Sequence, residues 1–201
     1  MRLSREENAI KIWMRLVLVP AMLLLLLPAL PSADEGHSYV GSNNCKKCHL
    51  KEWKSWSETK MAKSFEHLKP GVAAAAKKAA GLDPKKDYTK DASCLSCHTT
   101  GYGKPGGFTS AEATPDRVGT GCEMCHGAGG TYTKPEHMSL RNKEYKKAAL
   151  VKVGLVGKIM AAQCTNCHNE KSPFFKKGTA FDFEANKTKG THEVSPLKYK
   201  H

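Results

Sequence analysis

Four times along the chain two cysteines stand three positions apart with a histidine directly after the second. The units are Cys45-Lys46-Lys47-Cys48-His49, Cys94-Leu95-Ser96-Cys97-His98, Cys122-Glu123-Met124-Cys125-His126 and Cys164-Thr165-Asn166-Cys167-His168, and together they use all eight cysteines. Two thiols at this spacing can each form a thioether with one vinyl group of a haem, and the adjacent imidazole then lies under the macrocycle as the proximal iron ligand. Paired zinc sites or a disulfide framework would also use CxxC, but neither needs a histidine after every second cysteine. Four such units with no cysteine left over predict four covalently bound haem c groups.

Such attachment takes place outside the cytoplasm, and the N-terminus agrees. Arg2, Arg5, Lys11 and Arg15 precede an apolar run from Leu16 to Leu30, and Ser32-Ala33 offers small residues for cleavage before Asp34. This reads as a secretory signal over residues 1–33, with the alternative of an uncleaved anchor because Pro31 is unusual at such a site. The expected location is the periplasm, an extracellular one being the alternative. Residues 34–201 then form one tetrahaem cytochrome c domain, with about 42 residues available per haem. So little chain cannot build a large core of its own. The expected fold class is mainly α with long glycine-rich loops, a multihaem cytochrome c wrapped as a thin shell around a four-haem stack.

Without residues 1–33 the chain has 28 basic and 17 acidic residues, a net of +11. Eight ionised propionates would bring this to roughly +3. Lysine pairs remain at 46/47, 77/78, 85/86, 146/147 and 176/177. Most surface lysines are simply solvated; a patch steering an acidic redox partner is the functional reading. Nucleic acid is not an expected partner, since the chain is exported and has no nucleic-acid module.

In chain order, residues 34–44 read as an extended lead-in containing His37. From the first tether a helical segment is predicted to about Leu68, with Trp53, Trp56, Met61, Phe65 and Leu68 as its apolar members, and Pro70-Gly71 stops it. Residues 72–80 read as an alanine-rich helix ended by Gly81. Gly101, Gly103, Gly106 and Gly107 follow the second tether, and Gly119, Gly121, Gly127, Gly129 and Gly130 flank the third. They predict loops whose backbone passes tightly against flat macrocycles. Residues 139–163 regain helical character, interrupted by Gly154 and Gly157. Intervals of 49, 28 and 42 residues between tethers are too uneven for a solenoid.

His49, His98, His126 and His168 are the proximal ligands, which leaves His37, His67, His137, His192 and His201 as candidates for the sixth positions. Spacing alone does not pair them with haems.

Over nearly the whole exported chain the sequence resembles the tetrahaem cytochrome c-554 family of ammonia-oxidising bacteria and relatives elsewhere. The shared features are Trp56 and Thr59 in a Trp-x-x-Thr segment, "LKP" at Leu68 to Pro70, "LDPKKDYTKD" at Leu82 to Asp91, the loop from Gly101 to Phe108, "GCEMCHG" at Gly121 to Gly127 and Ser172-Pro173. The resemblance implies that His137 is the distal ligand of the haem on His49, that His192 serves the haem on His168, and that the haem on His98 is five-coordinate. It also implies a hydroxylamine-oxidising multihaem enzyme as electron donor and a membrane quinone-linked cytochrome as acceptor, with membrane contact only through partners or an uncleaved leader.

Two departures stand out. Met61 occupies the position of the family's distal histidine for the haem on His126. A thioether there would raise the potential relative to a second imidazole. His67 is the rival, and a packing role beside Phe65 the plain alternative. The stretch after Pro173 is shorter than in the family, which either exposes the haem on His98 or lets His37, His67 or His201 cap it. The functional expectation is an electron carrier. Reduction of nitric oxide or another small nitrogen oxide at an open haem on His98 is the enzymatic alternative, and a subunit of an extracellular cytochrome filament the structural one.

Overall fold

The computed structural model describes residues 37–175 and 178–196. The leader, Lys176-Lys177 and His201 lie outside the described residues. Among those described there are eight short helices: α1 (Ser42–Lys46), α2 (Leu50–Ser57), α3 (Ala74–Ala79), α4 (Ala92–His98), α5 (Glu123–His126), α6 (Lys147–Lys152), α7 (Ala161–Thr165) and α8 (Phe183–Asn186). Two 3-10 turns, Ser64–Leu68 and Pro115–Arg117, complete the regular structure. Among the described residues extended pairing is limited to one antiparallel bridge, between Thr99 and Val118. The fold is mainly helical, as the sequence predicts.

Helix ends follow local chemistry. Asp91 caps α4 by accepting the Ser93 amide at 3.1 Å. After α3, Gly81 takes φ +73° while the Leu82 amide donates back to the Lys77 carbonyl at 2.9 Å, a Schellman closure only an unhindered residue forms cheaply. The predicted continuous helix from the first tether to Leu68 is instead broken twice. His49 leaves helical geometry at φ −109°, ψ 51° as the N-cap of α2. Beyond α2, the Thr59 hydroxyl captures the Ala62 amide at 3.2 Å and competes with the helical ladder. In the predicted helical stretch 139–163 only α6 and the start of α7 form, with Gly154 at φ +104° ending the first of them.

The principal apolar cluster is small: Phe65, Leu68, Tyr88, Leu95 and Phe108, with Leu82, Tyr102 and Val118 at its edge. Phe65 and Phe108 meet with ring centroids 5.7 Å apart. Leu95, one of the two variable residues of the second tether, is 4 % exposed, so α4 is fixed by its own haem-attachment motif. Lys77 departs from the solvated-surface reading. It is 3 % exposed, and its ammonium donates to the Lys69 carbonyl at 2.6 Å beside the Tyr88 ring.

The lead-in from residue 37 to residue 41 threads between two loops. The Tyr39 amide donates to the Pro105 carbonyl at 2.9 Å on one side, and on the other the Gly130 amide donates to the Ser38 carbonyl at 2.8 Å. Several of the loop glycines are pressed against the chain itself. A Cβ on Gly107 would lie 1.7 Å from the Gly101 carbonyl oxygen. Gly107→Ala is therefore expected to cost about 3 kcal/mol or more, because the neighbour is backbone and cannot swing away. Gly103→Ala, at φ +73° with nothing within 4 Å, is expected to cost only about 1 kcal/mol. Denaturant unfolding of the pair checks the ranking, and equal losses would refute the clash.

Candidate haem-binding site

Each tether is carried on a short helix or its end, and packing brings tethers distant in sequence together. The Cys45 thiol hydrogen-bonds to Cys122 Sγ, which raises the pKa of Cys45 and lowers that of Cys122 to about 7. Cys167 is pushed up to about 12 by burial and by the adjacent Cys97 thiol. Burial also raises Cys125, helped by the nearby Cys164 thiol, and α5 packs against α7. The spatial order is thus first tether, third, fourth, second. None of the cysteines is joined as a disulfide. Among the described residues no three His, Cys, Asp or Glu side chains converge as a bare metal ion would require.

His98 is fixed by a backbone carbonyl. Its Nδ1–H donates to the Ser64 carbonyl at 2.7 Å, which leaves Nε2 as the unprotonated nitrogen facing away from the 3-10 turn. Burial lowers its pKa, and the carbonyl partly opposes this. His67 lies on that same turn, and as a neighbouring imidazole it also lowers the His98 pKa.

His126 is also lowered by burial, then by His192 and His49 nearby. Its ring lies 6.1 Å from that of His192, with the planes at 31°. His168, the expected partner of His192, stacks on Phe181 at 4.7 Å. His49 is exposed and His137 half-buried, with the Asn142 side-chain amide donating to the His137 carbonyl at 3.3 Å. Exposed His37 packs its ring on the Gly154 backbone.

Met61 is half-buried, and its carbonyl accepts the Thr120 amide at 3.0 Å. Trp56 Nε1 donates to the Thr120 carbonyl at 3.0 Å. The Trp-x-x-Thr segment is therefore zipped onto the residues that lead into the third tether.

Two side chains that belong to no haem-ligand pattern hold this arrangement. Glu123, a variable position inside the third CxxCH, is 2 % exposed. Its carboxylate accepts the amides of Val40 at 2.9 Å, Gly41 at 2.8 Å and Gly129 at 2.7 Å. Thr100 is fully buried two residues after His98, and its hydroxyl donates to the Gly119 carbonyl at 2.9 Å and accepts the Gly121 amide at 2.8 Å. A glutamate so close to glycine-rich loops was the available signal for the first; a threonine in this setting gives none.

The donor set fits haem c. Free thiols in pairs, a proximal imidazole with its second nitrogen anchored on a carbonyl, and an apolar core too small for a chain of this length are what four covalent macrocycles require. Short helices around such attachment sites define a multihaem c-type cytochrome. The comparisons narrow this. The family model described as cytochrome c554 and c-prime matches residues 44–127. A curated cytochrome c-554 from Nitrosomonas europaea is 45% identical over 94 residues, which are 47% of this chain and 40% of the relative, so the match spans well under half of that protein's length. The solved structure of the reduced state of cytochrome c554 from Nitrosomonas europaea superposes with a TM-score of 0.69 at 33% identity, over 81% of this chain and 88% of that one. The chain belongs to the cytochrome c554 family, and it carries haem c at its four CxxCH sites.

Proposed function

We propose that the protein is a periplasmic electron carrier of four haems, exported by residues 1–33 and folded as one domain over residues 34–201. The observation that supports this most is the continuous spatial run of the four tethers, first to third to fourth to second. Bound haem supplies reversible one-electron transfer. The chain supplies the tethers, the proximal histidines His49, His98, His126 and His168, and the sixth-ligand candidates His137, His192 and Met61. No helix among the described residues is long and apolar enough to cross a membrane. Membrane contact then runs through partners or an uncleaved leader. A hydroxylamine-oxidising multihaem enzyme as donor and a membrane quinone-linked cytochrome as acceptor are the partners we assign.

Stopped-flow mixing of the oxidised protein with such a reduced donor tests the assignment. Reduction of all four haems within the donor's turnover time supports it, and a protein that takes electrons from neither this donor nor a quinol-linked cytochrome is not this carrier. His137→Ala is expected to convert one low-spin ferric haem to high spin, read by spin-quantified electron paramagnetic resonance; an unchanged spin count removes His137 from the ligand set.

One observation favours a second reading at the haem on His98. The turn bearing His67 is hydrogen-bonded through the Ser64 carbonyl to Nδ1 of His98, the ring nitrogen that would not face an iron. A vacant sixth position there would admit nitric oxide. One high-spin haem whose signal is lost on adding nitric oxide, followed by turnover with a reductant, carries this reading; four low-spin haems that do not react end it.

A further inference from the structure

A buried negative charge acts on a neighbouring redox centre with a fixed sign, and the third tether carries one. Glu123 follows Cys122 and lies one helical turn before His126 on α5. Only 2 % of it is exposed, and that cover is made by the chain itself, so bound macrocycles can only deepen it. Its two oxygens are shared among three donors. Oε1 accepts the Val40 amide at 2.9 Å and the Gly129 amide at 2.7 Å, and Oε2 accepts the Gly41 amide at 2.8 Å. Three donors suit an ionised carboxylate, which can only accept. Among the described residues Glu123 forms no ion pair, so no cation in contact cancels its charge.

The charge also reaches the first tether. The Cys45 pKa is raised by the hydrogen bond with Cys122 and by burial, and further by Glu123. Asp91 makes the contrast. It stands three residues before Cys94, yet its side chain is 30 % exposed and faces the Lys86 ammonium at 3.6 Å. Water and a cation both damp its field.

We propose that Glu123 sets the reduction potential at the third tether, holding the haem on His126 lower than it would otherwise stand. Reduction adds one electron at the iron and removes one unit of positive charge there. A fixed negative charge opposes this, and a buried one is poorly screened. In the run from first to third to fourth to second, an electron at the third site is then held weakly and moves on. The proposal rests on the reading of the chain as a four-haem electron carrier. A holoprotein that takes electrons from no donor fails that reading, whereas midpoints that ignore Glu123 fail only this one.

Redox titration of the holoprotein followed by NMR, which tracks the methyl signals of each haem separately, tests it. Glu123→Gln removes the charge and is expected to raise the midpoint of the haem on His126 by about tenfold in the reduction equilibrium, or about 59 mV for one electron, with the haem on His49 following to a smaller extent. Glu123→Asp keeps the charge on a shorter arm and is expected to leave that midpoint low while disturbing the same amides. Asp91→Asn is expected to move no midpoint by a comparable amount. Unmoved midpoints in Glu123→Gln, a largest shift at another haem, or equal rises in the Gln and Asp variants would each overturn the proposal. Should Glu123→Gln fail to accumulate, the unaltered protein is titrated at about 0.01 and about 1 M salt. The midpoint of the haem on His126 is then expected to hold, and a climb with salt would assign it to surface charge instead.

Discussion

Glu123→Ala is expected to lower the unfolding free energy by about 4 kcal/mol, the largest loss from any single substitution outside the haem-attachment residues. The carboxylate is the shared acceptor for three backbone amides, from residues 40, 41 and 129. Hydrogen bonds to a charged acceptor contribute about 1.5–3 kcal/mol each, and amides left buried without a partner add a desolvation cost. Some relaxation of the lead-in into solvent keeps the sum below three full terms. Glu123→Gln keeps the shape but offers one oxygen and an amino group that faces donors, so about half the loss is expected. Urea unfolding of the holoprotein measures both. A loss below about 1 kcal/mol for the alanine variant would mean the lead-in is held by its loops alone.

Thr100→Val is expected to cost about 2–4 kcal/mol although the side chains have nearly the same shape. The hydroxyl bridges the Gly119 carbonyl and the Gly121 amide, both on the approach to the third tether, while the Thr100 amide and carbonyl pair with Arg117 and Phe108. Valine leaves two buried backbone groups unpaired and introduces nothing to satisfy them. Because Thr100 lies two residues beyond His98 and the bonded segment lies just ahead of Cys122, the substitution loosens the second tether against the third. Thr100→Ser, which keeps the hydroxyl, is expected to recover most of the stability. If valine and serine variants unfold alike, the bridge contributes little and the methyl packing decides.

The haem sites were legible because their chemistry is local: two thiols and an imidazole within five residues carry the information, and no tertiary context is needed to read it. Gly81 was legible for the same reason, since helix termination depends on one residue's φ. The break at His49 was not. Helix stands on both sides of this position, in α1 and α2, and the interruption comes from His49 itself leaving helical geometry. The glycines signalled close approach, and at Gly107 and Gly130 part of that approach is to the chain's own backbone. Composition cannot say that residues 37–41 will thread between the loops around 105 and 130. Thr100 was silent and Glu123 gave only a hint, because each acts on amides 6 to 83 residues away, and side-chain type alone gives no address for such partners. His192 was named as a ligand candidate, yet its place beside His126 depends on the tail returning to α2, where the Glu193 amide meets Ser55.

The tail of the chain returns to α2, where the Glu193 amide donates to Ser55 Oγ at 2.8 Å across 138 positions of sequence. A net hydrogen bond of about 1 kcal/mol is a light fastening for so long a return. Segments held this way open locally at far less than the free energy of global unfolding. Residues 191–196 are therefore expected to exchange their amide hydrogens ahead of the lead-in, whose amides are fixed on the buried Glu123.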